Sequence, residues 1–218
     1  MGFQHRCLDI ASRRYFATVS AFLMTTKRIC IFCGSSIGAD PAFATAAKAV
    51  GEVLAHRGLE LVYGGGNVGL MGIVADAALK AGGRVTGVIP QSLVDRELAH
   101  LEISDLRIVS SMHERKAMMA DLSDAFIALP GGYGTLEELC EILTWAQLGL
   151  HQKPFGLLNV DQFYASFIAQ IDHAVRMKFI RPQHRDLLMT SDSIEGLLEQ
   201  FAAFKPLPVH KWIGPEET

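Results

Sequence analysis

The fold is decided by the stretch Ala125-Phe126-Ile127-Ala128-Leu129-Pro130-Gly131-Gly132-Tyr133-Gly134-Thr135-Leu136-Glu137-Glu138. Its apolar start predicts a buried strand, and apolar residues recur with helical spacing over 136–148. A glycine-rich turn from strand to helix lets backbone N–H groups approach an anion, which the helix dipole also favours. Glu137 and Glu138 follow one helical turn later, where a plain phosphate site needs no carboxylate. The stretch therefore predicts chemistry on a phosphorylated substrate.

Strand and helix patterns alternate from Lys27 onward. Strands that are apolar throughout and separated by helices indicate a parallel sheet covered on both faces. We therefore predict an α/β fold with a doubly wound parallel sheet, Rossmann-like, in a single domain. The predicted strands are 28–33, 59–63, 84–89, 106–109, 125–129 and 155–159. The predicted helices are 41–56, 70–81, 112–122, 136–148, 163–178 and 193–204.

The chain of 218 residues is long enough for one well-buried domain, and nothing in it demands two. We expect the nucleotide-binding catalytic domain to occupy residues 24–205 and a C-terminal tail to occupy 206–218. Residues 1–23 contain three arginines and a single acid, Asp9, which gives weak transit-peptide character. We favour the alternative in which Met24 is the natural start and residues 1–23 are a disordered or non-native extension.

Composition narrows the class of partner. The formal net charge is −3, and no basic stripe with interleaved aromatic residues is present, so we expect no nucleic-acid partner. No apolar run is long enough to span a bilayer, so we expect no membrane partner. Four cysteines without a disulfide-like pattern fit reduced thiols and a cytoplasmic location. No cluster of metal-ligand spacing is evident, and we expect no metal or cofactor.

The pair Cys30 and Cys33 suggests a redox or zinc site at first sight. Both residues lie in the apolar run Arg28-Ile29-Cys30-Ile31-Phe32-Cys33, which predicts a strand. Side chains three apart in a strand point to opposite faces, so these thiols cannot share a metal. We therefore predict two separately buried cysteines.

A second glycine-rich turn, Gly64-Gly65-Gly66-Asn67-Val68-Gly69, formally satisfies the dinucleotide pattern G-x-G-x-x-G. That site also needs an acid about 20 residues later, at the end of the next strand. The next strand ends in Val88-Ile89-Pro90 and has no acid, which argues against a nicotinamide site. A smaller nucleotide still fits, with candidate contacts at Gly34, Ser35, Gly65 and Gly66.

Two charged residues each admit two interpretations. Arg115, in His113-Glu114-Arg115-Lys116, begins a helix after a strand. It is either part of a solvated helix start or a rigid cationic fork for phosphate, carboxylate or a purine edge. Glu138 completes a Thr-x-x-Glu capping box with Thr135. From the residues alone, capping is the preferred interpretation of Glu138, and Arg115 stays open.

These motifs, taken in order, resemble the LOG ("Lonely Guy") family of cytokinin riboside 5′-monophosphate phosphoribohydrolases, often labelled possible lysine decarboxylases. Residues 130–138 match its PGGxGTxxE signature. The resemblance covers nearly all of the chain after Met24. Its other matching segments are Cys33-Gly34-Ser35-Ser36, Gly64-Gly65-Gly66, Gly69-Leu70-Met71-Gly72, Thr144-Trp145-Ala146-Gln147-Leu148-Gly149 and Leu157-Leu158-Asn159-Val160.

The resemblance implies that an adenine-type nucleoside 5′-monophosphate is hydrolysed to free base and ribose 5-phosphate, without metal or cofactor, by a homodimer. It also implies that Arg115 and Glu138 are the catalytic pair. The substrate contacts that it implies are Glu97, Arg115, Lys116, Gly132, Tyr133, Gly134, Thr135, Leu136, Glu137, Glu138 and Thr144.

Two rival functions remain at this point. A nucleotide-binding or sensing module would use the same turns without turnover. A lysine decarboxylase would need pyridoxal phosphate on a Schiff-base lysine. Lys116 is the only lysine within a site motif, and no cofactor-lysine constellation surrounds it.

Overall fold

The computed structural model describes residues 26–96 and 98–206, whose strands form one parallel sheet. The strand order is β4-β3-β2-β1-β5-β6-β7. In chain order the strands are β1 Arg28–Phe32, β2 Glu60–Tyr63, β3 Val85–Pro90, β4 Asp105–Val109, β5 Ala125–Ala128, β6 Phe155–Leu158 and β7 Leu188–Ser191. The helices are α1 Pro41–His56, α2 Gly69–Lys80, α3 Gln91–Val94, α4 Met112–Leu122, α5 Tyr133–Gln147, α6 Ala165–Arg176, α7 Pro182–Arg185 and α8 Ile194–Ala203.

Both faces of the sheet are covered, which confirms the predicted doubly wound fold. On one face, α1, α2 and α8 pack against alternate residues of the central strands, such as Ile29 and Ile31. On the other face, α4 and α5 pack against the intervening residues, such as Phe32 and Phe126, with α6 beside them. The core is therefore two apolar layers separated by a sheet that is buried on both sides.

Cys30, in β1, and Cys33, directly after it, confirm the prediction that the two side chains point to opposite faces of the sheet. Cys33 packs in the layer with α1, α2 and α8, whereas Cys30 packs in the layer with α4 and α5. Both thiols are free and buried. Burial raises the pKa of each thiol well above its usual range, so neither thiol is a reactive thiolate.

The structure differs from the prediction at two places that matter. The edge strand β7 was not predicted, because Leu188–Ser191 is only partly buried and its residues lack a strong β pattern. Helix α5 begins at Tyr133 rather than at the predicted residue 136. Glycine is a poor helix former, so Gly134 obscured the first turn in the sequence.

The site is placed by the strand order. The chain leaves β1 toward β2 on one side and later returns to β5 on the other, so a crevice opens at the carboxyl ends of β1 and β5. The turns that follow these strands touch, since the Gly34 N–H donates to the Pro130 carbonyl at 3.0 Å. Among the described residues, no helix has the length and apolarity needed to cross a membrane.

Candidate active site

Three glycine-rich turns meet at this crevice. Besides the contact between Gly34 and Pro130, the Leu70 N–H donates to the Gly34 carbonyl at 3.0 Å. Gly69, with a φ of +60°, lies so close to the first turn that an added Cβ would be 2.2 Å from the carbonyl carbon of Ser35. The turns after β1, β2 and β5 therefore form one backbone-lined surface at the carboxyl edge of the sheet.

The N-terminus of α5 is open toward solvent. Its N-cap is Gly132, with φ −93° and ψ −153°, and no side chain caps the helix. Gly132, Tyr133 and Gly134 are exposed, and the Tyr133 side chain is 94% exposed. A Cβ added at Gly132 or at Gly134 would meet nothing within 4 Å. Free backbone donors and empty space at a helix N-terminus suit an anionic group.

The capping role that the residues alone favoured for Glu138 is wrong. Thr135 is the third residue of α5 rather than its N-cap, so Thr135 and Glu138 do not have the N-cap and N3 positions that a capping box requires. Glu138 lies in the second turn of the helix and is 7% exposed. Its Oε1 atom lies 3.5 Å from Nη1 of Arg115. The two residues of the implied catalytic pair therefore face each other.

Arg115 is held by backbone carbonyls from two strand ends. It lies in the first turn of α4, whose N-cap Ser111 accepts a hydrogen bond from the Glu114 N–H at 3.2 Å. Arg115 Nε donates to the Val88 carbonyl at 3.1 Å, and Nη2 donates to the Gly64 carbonyl at 3.3 Å. Arg115 is 8% exposed, so its guanidinium is a buried cation with a fixed orientation rather than a solvated charge at a helix start.

Burial perturbs the acid of this pair. Desolvation raises the pKa of Glu138 to about 7, and the positive charge of Arg115 opposes that rise. The nearby carboxylates of Glu137 and Glu141 raise the pKa of Glu138 further, whereas Lys116 lowers it. A carboxyl that changes its charge near neutral pH, beside an anion-binding helix end, is typical of a functional site.

Lys116 is engaged by acids of the neighbouring helix. Its ammonium forms ion pairs with Glu137 and with Glu141, the latter at 3.1 Å, and the lysine is 8% exposed. Burial alone would lower the pKa of Lys116, but hydrogen bonds to these two carboxylates raise it. The lysine thus ties α4 to α5 directly beside the Arg115–Glu138 pair. A substrate contact by Lys116 stays a prediction.

Other predicted contacts divide by exposure. Gly34, Gly65 and Gly66 are buried, whereas Ser35 is exposed on the first turn. In the signature turn, Thr135 is buried, Leu136 is half-buried and Glu137 is exposed. Glu97 lies outside the described residues, as do all of the predicted N-terminal extension 1–23 and all but the first residue of the predicted C-terminal tail 206–218. All of these contacts stay predictions.

Thr144 lies on another side of α5 from Glu138. The two residues are six positions apart, which separates them by about 9 Å along the axis and turns them about 120° from each other. The Thr144 hydroxyl donates to the Cys140 carbonyl at 2.7 Å. Thr144 lines a groove of about 140 Å³ between α5, α6, α7 and β7. Within one chain, the structure therefore does not bring Thr144 to the Arg115–Glu138 pair.

Sequence reasoning missed several residues that build the site. Gly64 and Val88 hold Arg115 through their carbonyls, which no side-chain motif reveals. Tyr164 donates its buried hydroxyl to the Leu129 carbonyl at 2.5 Å and anchors the chain where it enters the signature turn. Glu141 was detectable, because it follows Glu137 by one helical turn and so presents a second acid to the same cation.

The described residues, 26–96 with 98–206, contain no group of three or more His, Cys, Asp or Glu side chains placed to hold a metal ion.

Comparison with known proteins places the chain among close relatives. It is 51% identical over 180 residues to cytokinin riboside 5′-monophosphate phosphoribohydrolase LOG7 of Arabidopsis thaliana, covering 83% of each chain. It is 50% identical over 180 residues to the LOG enzyme of the same name from Oryza sativa subsp. japonica, covering 83% of this chain and 74% of that one.

Solved structures share the fold at lower identity. The molybdenum cofactor binding protein from the phototrophic bacterium Rippkaea orientalis is 24% identical, covers 83% of this chain and 98% of its own, and has a TM-score of 0.63. The Moco carrier protein of Chlamydomonas reinhardtii is 19% identical, covers 82% of this chain and 98% of its own, and has a TM-score of 0.61. At these identities the likeness concerns the fold alone.

A family model described as "Possible lysine decarboxylase" matches residues 71–201, which include β3 to β7, Arg115 and the whole signature turn. Together with the identity to the plant enzymes, this match assigns the chain to a family. The chain belongs to the LOG family, the phosphoribohydrolases that this model covers.

Proposed function

We propose that this protein hydrolyses the N-glycosidic bond of an adenine-type (cytokinin) nucleoside 5′-monophosphate, with Arg115 and Glu138 as the catalytic pair. The products are the free base and ribose 5-phosphate. The observation that carries the proposal is the buried pair, whose Nη1 and Oε1 atoms are 3.5 Å apart, beside the open N-terminus of α5. The family relationship supports the same reaction.

The 5′-phosphate binds at the start of α5 in this proposal. Backbone N–H groups of residues 132–135 have no helical acceptors there, and the helix dipole favours an anion. The exposed glycines leave room for a phosphate to approach the backbone closely. From that position, Glu138 lies about one helical turn away, which suits a carboxylate that acts on C1′ of the bound ribose.

Glycosidic bond cleavage passes through an oxocarbenium-like state. The ionised carboxylate of Glu138 stabilises that positive charge or activates water on the face opposite the departing base. Arg115 cannot be a general acid, because a guanidinium does not lose its proton at usable pH. It therefore orients the carboxylate, keeps it ionised through its positive charge, and donates to the base or the phosphate.

The decarboxylase label is not supported by the residues. A Schiff-base lysine must become a neutral amine, which a lowered pKa promotes. Lys116, the only lysine of the site motifs, is paired with Glu137 and Glu141, and these acids raise its pKa. The residues around Lys116 therefore do not fit pyridoxal phosphate.

A pure nucleotide-binding module is also disfavoured. Binding a phosphate requires donors, whereas a buried acid with a pKa near 7 adds negative charge beside the anion at higher pH. Such an acid costs binding energy unless it acts on the reacting bond. We expect a homodimer, as the resemblance implies, and sedimentation of the purified protein tests the oligomeric state. The four cysteines without a disulfide pattern lead us to expect a cytoplasmic location.

The deciding experiment measures base release from matched adenine compounds. The purified protein is incubated with AMP, isopentenyl-AMP, adenosine and ATP, and free base and ribose 5-phosphate are quantified by chromatography. We expect release from the monophosphates alone. Equal cleavage of adenosine and AMP would contradict phosphate recognition, and AMP binding without base release would favour the binding module.

A further inference from the structure

Among the glycines that the structure describes, Gly64 is the one whose added Cβ would collide with Arg115. A Cβ built on Gly64 would lie 1.8 Å from Nη2 of Arg115, 2.9 Å from its Cζ and 3.4 Å from its Nε. These are the three nearest heavy atoms, and all belong to Arg115. The nearest obstacle to a side chain at position 64 is therefore the guanidinium of Arg115 rather than neighbouring backbone.

Two hydrogen bonds to backbone carbonyls oppose a withdrawal of the guanidinium from position 64. Its Nε donates to the Val88 carbonyl at 3.1 Å and its Nη2 donates to the Gly64 carbonyl at 3.3 Å. Moving away from a Cβ at position 64 would lengthen one or both bonds inside the protein. Buried donors of a charged group that lose their acceptors are costly, so the arginine would adopt a different orientation.

The two carbonyls also determine where the third nitrogen points. With Nε and Nη2 fixed to the ends of β3 and β2, the planar fork directs Nη1 toward Glu138, 3.5 Å away. We propose that Gly64 is a positioning residue for the reaction: its missing side chain and its carbonyl hold Arg115 in the orientation that serves Glu138. This inference rests on the proposed catalytic role of Arg115.

The proposal reassigns the first glycine of the second turn. In a dinucleotide fold, such a glycine permits a tight turn beside a pyrophosphate. Here the space beside Gly64 is filled by a side chain of the protein itself. Gly64→Ala should therefore act through Arg115 alone and should do nothing further once Arg115 has been removed.

The test is a double-mutant cycle with Gly64→Ala, Arg115→Ala and the double variant, each assayed for thermal melting, AMP binding and single-turnover base release. We expect Gly64→Ala to slow base release by about a hundredfold, close to the loss in Arg115→Ala. The double variant should be no slower than Arg115→Ala, and it should melt higher than Gly64→Ala because the clash is gone. That recovery of melting temperature is measurable even if Gly64→Ala folds poorly.

Two readouts separate positioning from general strain. Displacing Arg115 removes a charge that lowers the pKa of Glu138, so the acidic limb of the rate profile in Gly64→Ala should move to higher pH. The control is Gly156→Ala in β6, three strands away from β2. Its added Cβ would lie 2.6 Å from Cδ2 of Leu197. It should lower the melting temperature and leave base release unchanged.

The outcomes are distinguishable. Parental base release and pH profile in Gly64→Ala, with an inactive Arg115→Ala, would overturn the positioning role and leave the proposed function intact. Multiplied losses in the double variant would overturn it as well, because Gly64 would then act independently. Full activity in Arg115→Ala would remove the catalytic assignment of Arg115 together with the role of Gly64.

Discussion

The turn after β2 and the turn after β5 look alike in sequence but use glycine for different reasons. In the turn after β2, an added Cβ at Gly64, Gly66 or Gly69 would lie within 3 Å of other atoms of the protein. In the turn after β5, a Cβ at Gly132 or Gly134 would meet nothing within 4 Å. The turn after β2 needs these three glycines to pack, whereas the turn after β5 is crowded only at Gly131, where an added Cβ would lie 2.1 Å from Oγ1 of Thr135, and leaves space at Gly132 and Gly134.

This difference supports the proposed binding of the phosphate at the turn after β5. Neither Gly132 nor Gly134 has a positive φ, so the backbone does not require glycine at these positions either. A glycine that neither packing nor backbone conformation demands is retained at a stability cost in a helix. The simplest cause is the close approach of a substrate to the backbone. The turn after β2 instead supplies the carbonyl that holds Arg115.

The largest expected effect comes from removing the negative charge of Glu138, in the helix that follows β5. Glu138→Gln should fold and bind AMP but lose base release by about a hundredfold or more, which is on the order of 3 kcal/mol of transition-state stabilisation. An amide cannot supply a full negative charge to the oxocarbenium-like centre. Single-turnover assays and a binding titration measure both quantities.

The control for that variant is Glu199→Gln on the exposed side of α8, which should leave turnover unchanged. Near-normal turnover in Glu138→Gln would show that the catalytic carboxylate lies elsewhere, with Glu97 the next residue to test.

The second prediction uses the pKa of Glu138, which burial raises from its ordinary value of 4.5 to about 7 in the folded protein. Between these values the folded chain holds a proton that the unfolded chain has released. The unfolding free energy should therefore rise as pH falls from about 7 to 4.5, by on the order of 3 kcal/mol from this residue. Above pH 7 the buried carboxylate of Glu138 is ionised, and its desolvation lowers the unfolding free energy.

Urea unfolding of the parent and of Glu138→Gln at several pH values isolates this contribution, because the glutamine does not titrate. The parent should gain stability relative to the variant as the pH falls from 8 to 4.5. A constant difference across that range would mean that Glu138 is not desolvated.

The sequence predicted the layers but not the meeting of Arg115 with Glu138. Alternating apolar segments determine a parallel sheet, so six of the seven strands could be located. Strands β4 and β5, however, are separated by β3, β2 and β1. The chain must cross the sheet between them, and α4 packs against β1 to β4 on the way. The spacing of residues in the sequence therefore does not predict where the first turn of α4, which carries Arg115, lies in the fold.

The capping box shows why local patterns misled at Glu138. Thr135 and Glu138 have the right spacing, but the helix starts earlier, at an N-cap glycine that no rule of side-chain capping favours strongly. The position of Glu138 depends on the backbone hydrogen bonds of the first turn of α5 and on the contact with Arg115. Both depend on tertiary structure. The resemblance to the LOG family instead paired Glu138 with Arg115, and the structure places atoms of the two side chains 3.5 Å apart.

The third prediction tests the packing glycines. Gly69→Ala should reduce the unfolding free energy by roughly 2 kcal/mol, because alanine must adopt a positive φ and its Cβ would meet the backbone of Ser35. Gly82→Ala is the matched control: its φ is +80°, but a Cβ there meets nothing within 4 Å. It should lose only about 1 kcal/mol, the cost of the conformation. Equal losses in urea unfolding would contradict the packing role of Gly69.

The smallest expected effect is the sharpest test of the comparison between the two turns. It should change AMP affinity without lowering the unfolding free energy. Gly134→Ala lies in the first turn of α5, where alanine is the better helix former, so the unfolding free energy should stay equal or rise by up to about 1 kcal/mol. The new methyl group occupies the space where the phosphate approaches, so AMP affinity should fall about tenfold, or about 1.4 kcal/mol. Urea unfolding and a binding titration with AMP measure the two effects. The affinity for inorganic phosphate, measured by titration in competition with AMP, should fall in parallel if the methyl group blocks the phosphate position. Lost stability with unchanged AMP affinity would place Gly134 among the packing glycines and move the phosphate site away from the turn after β5.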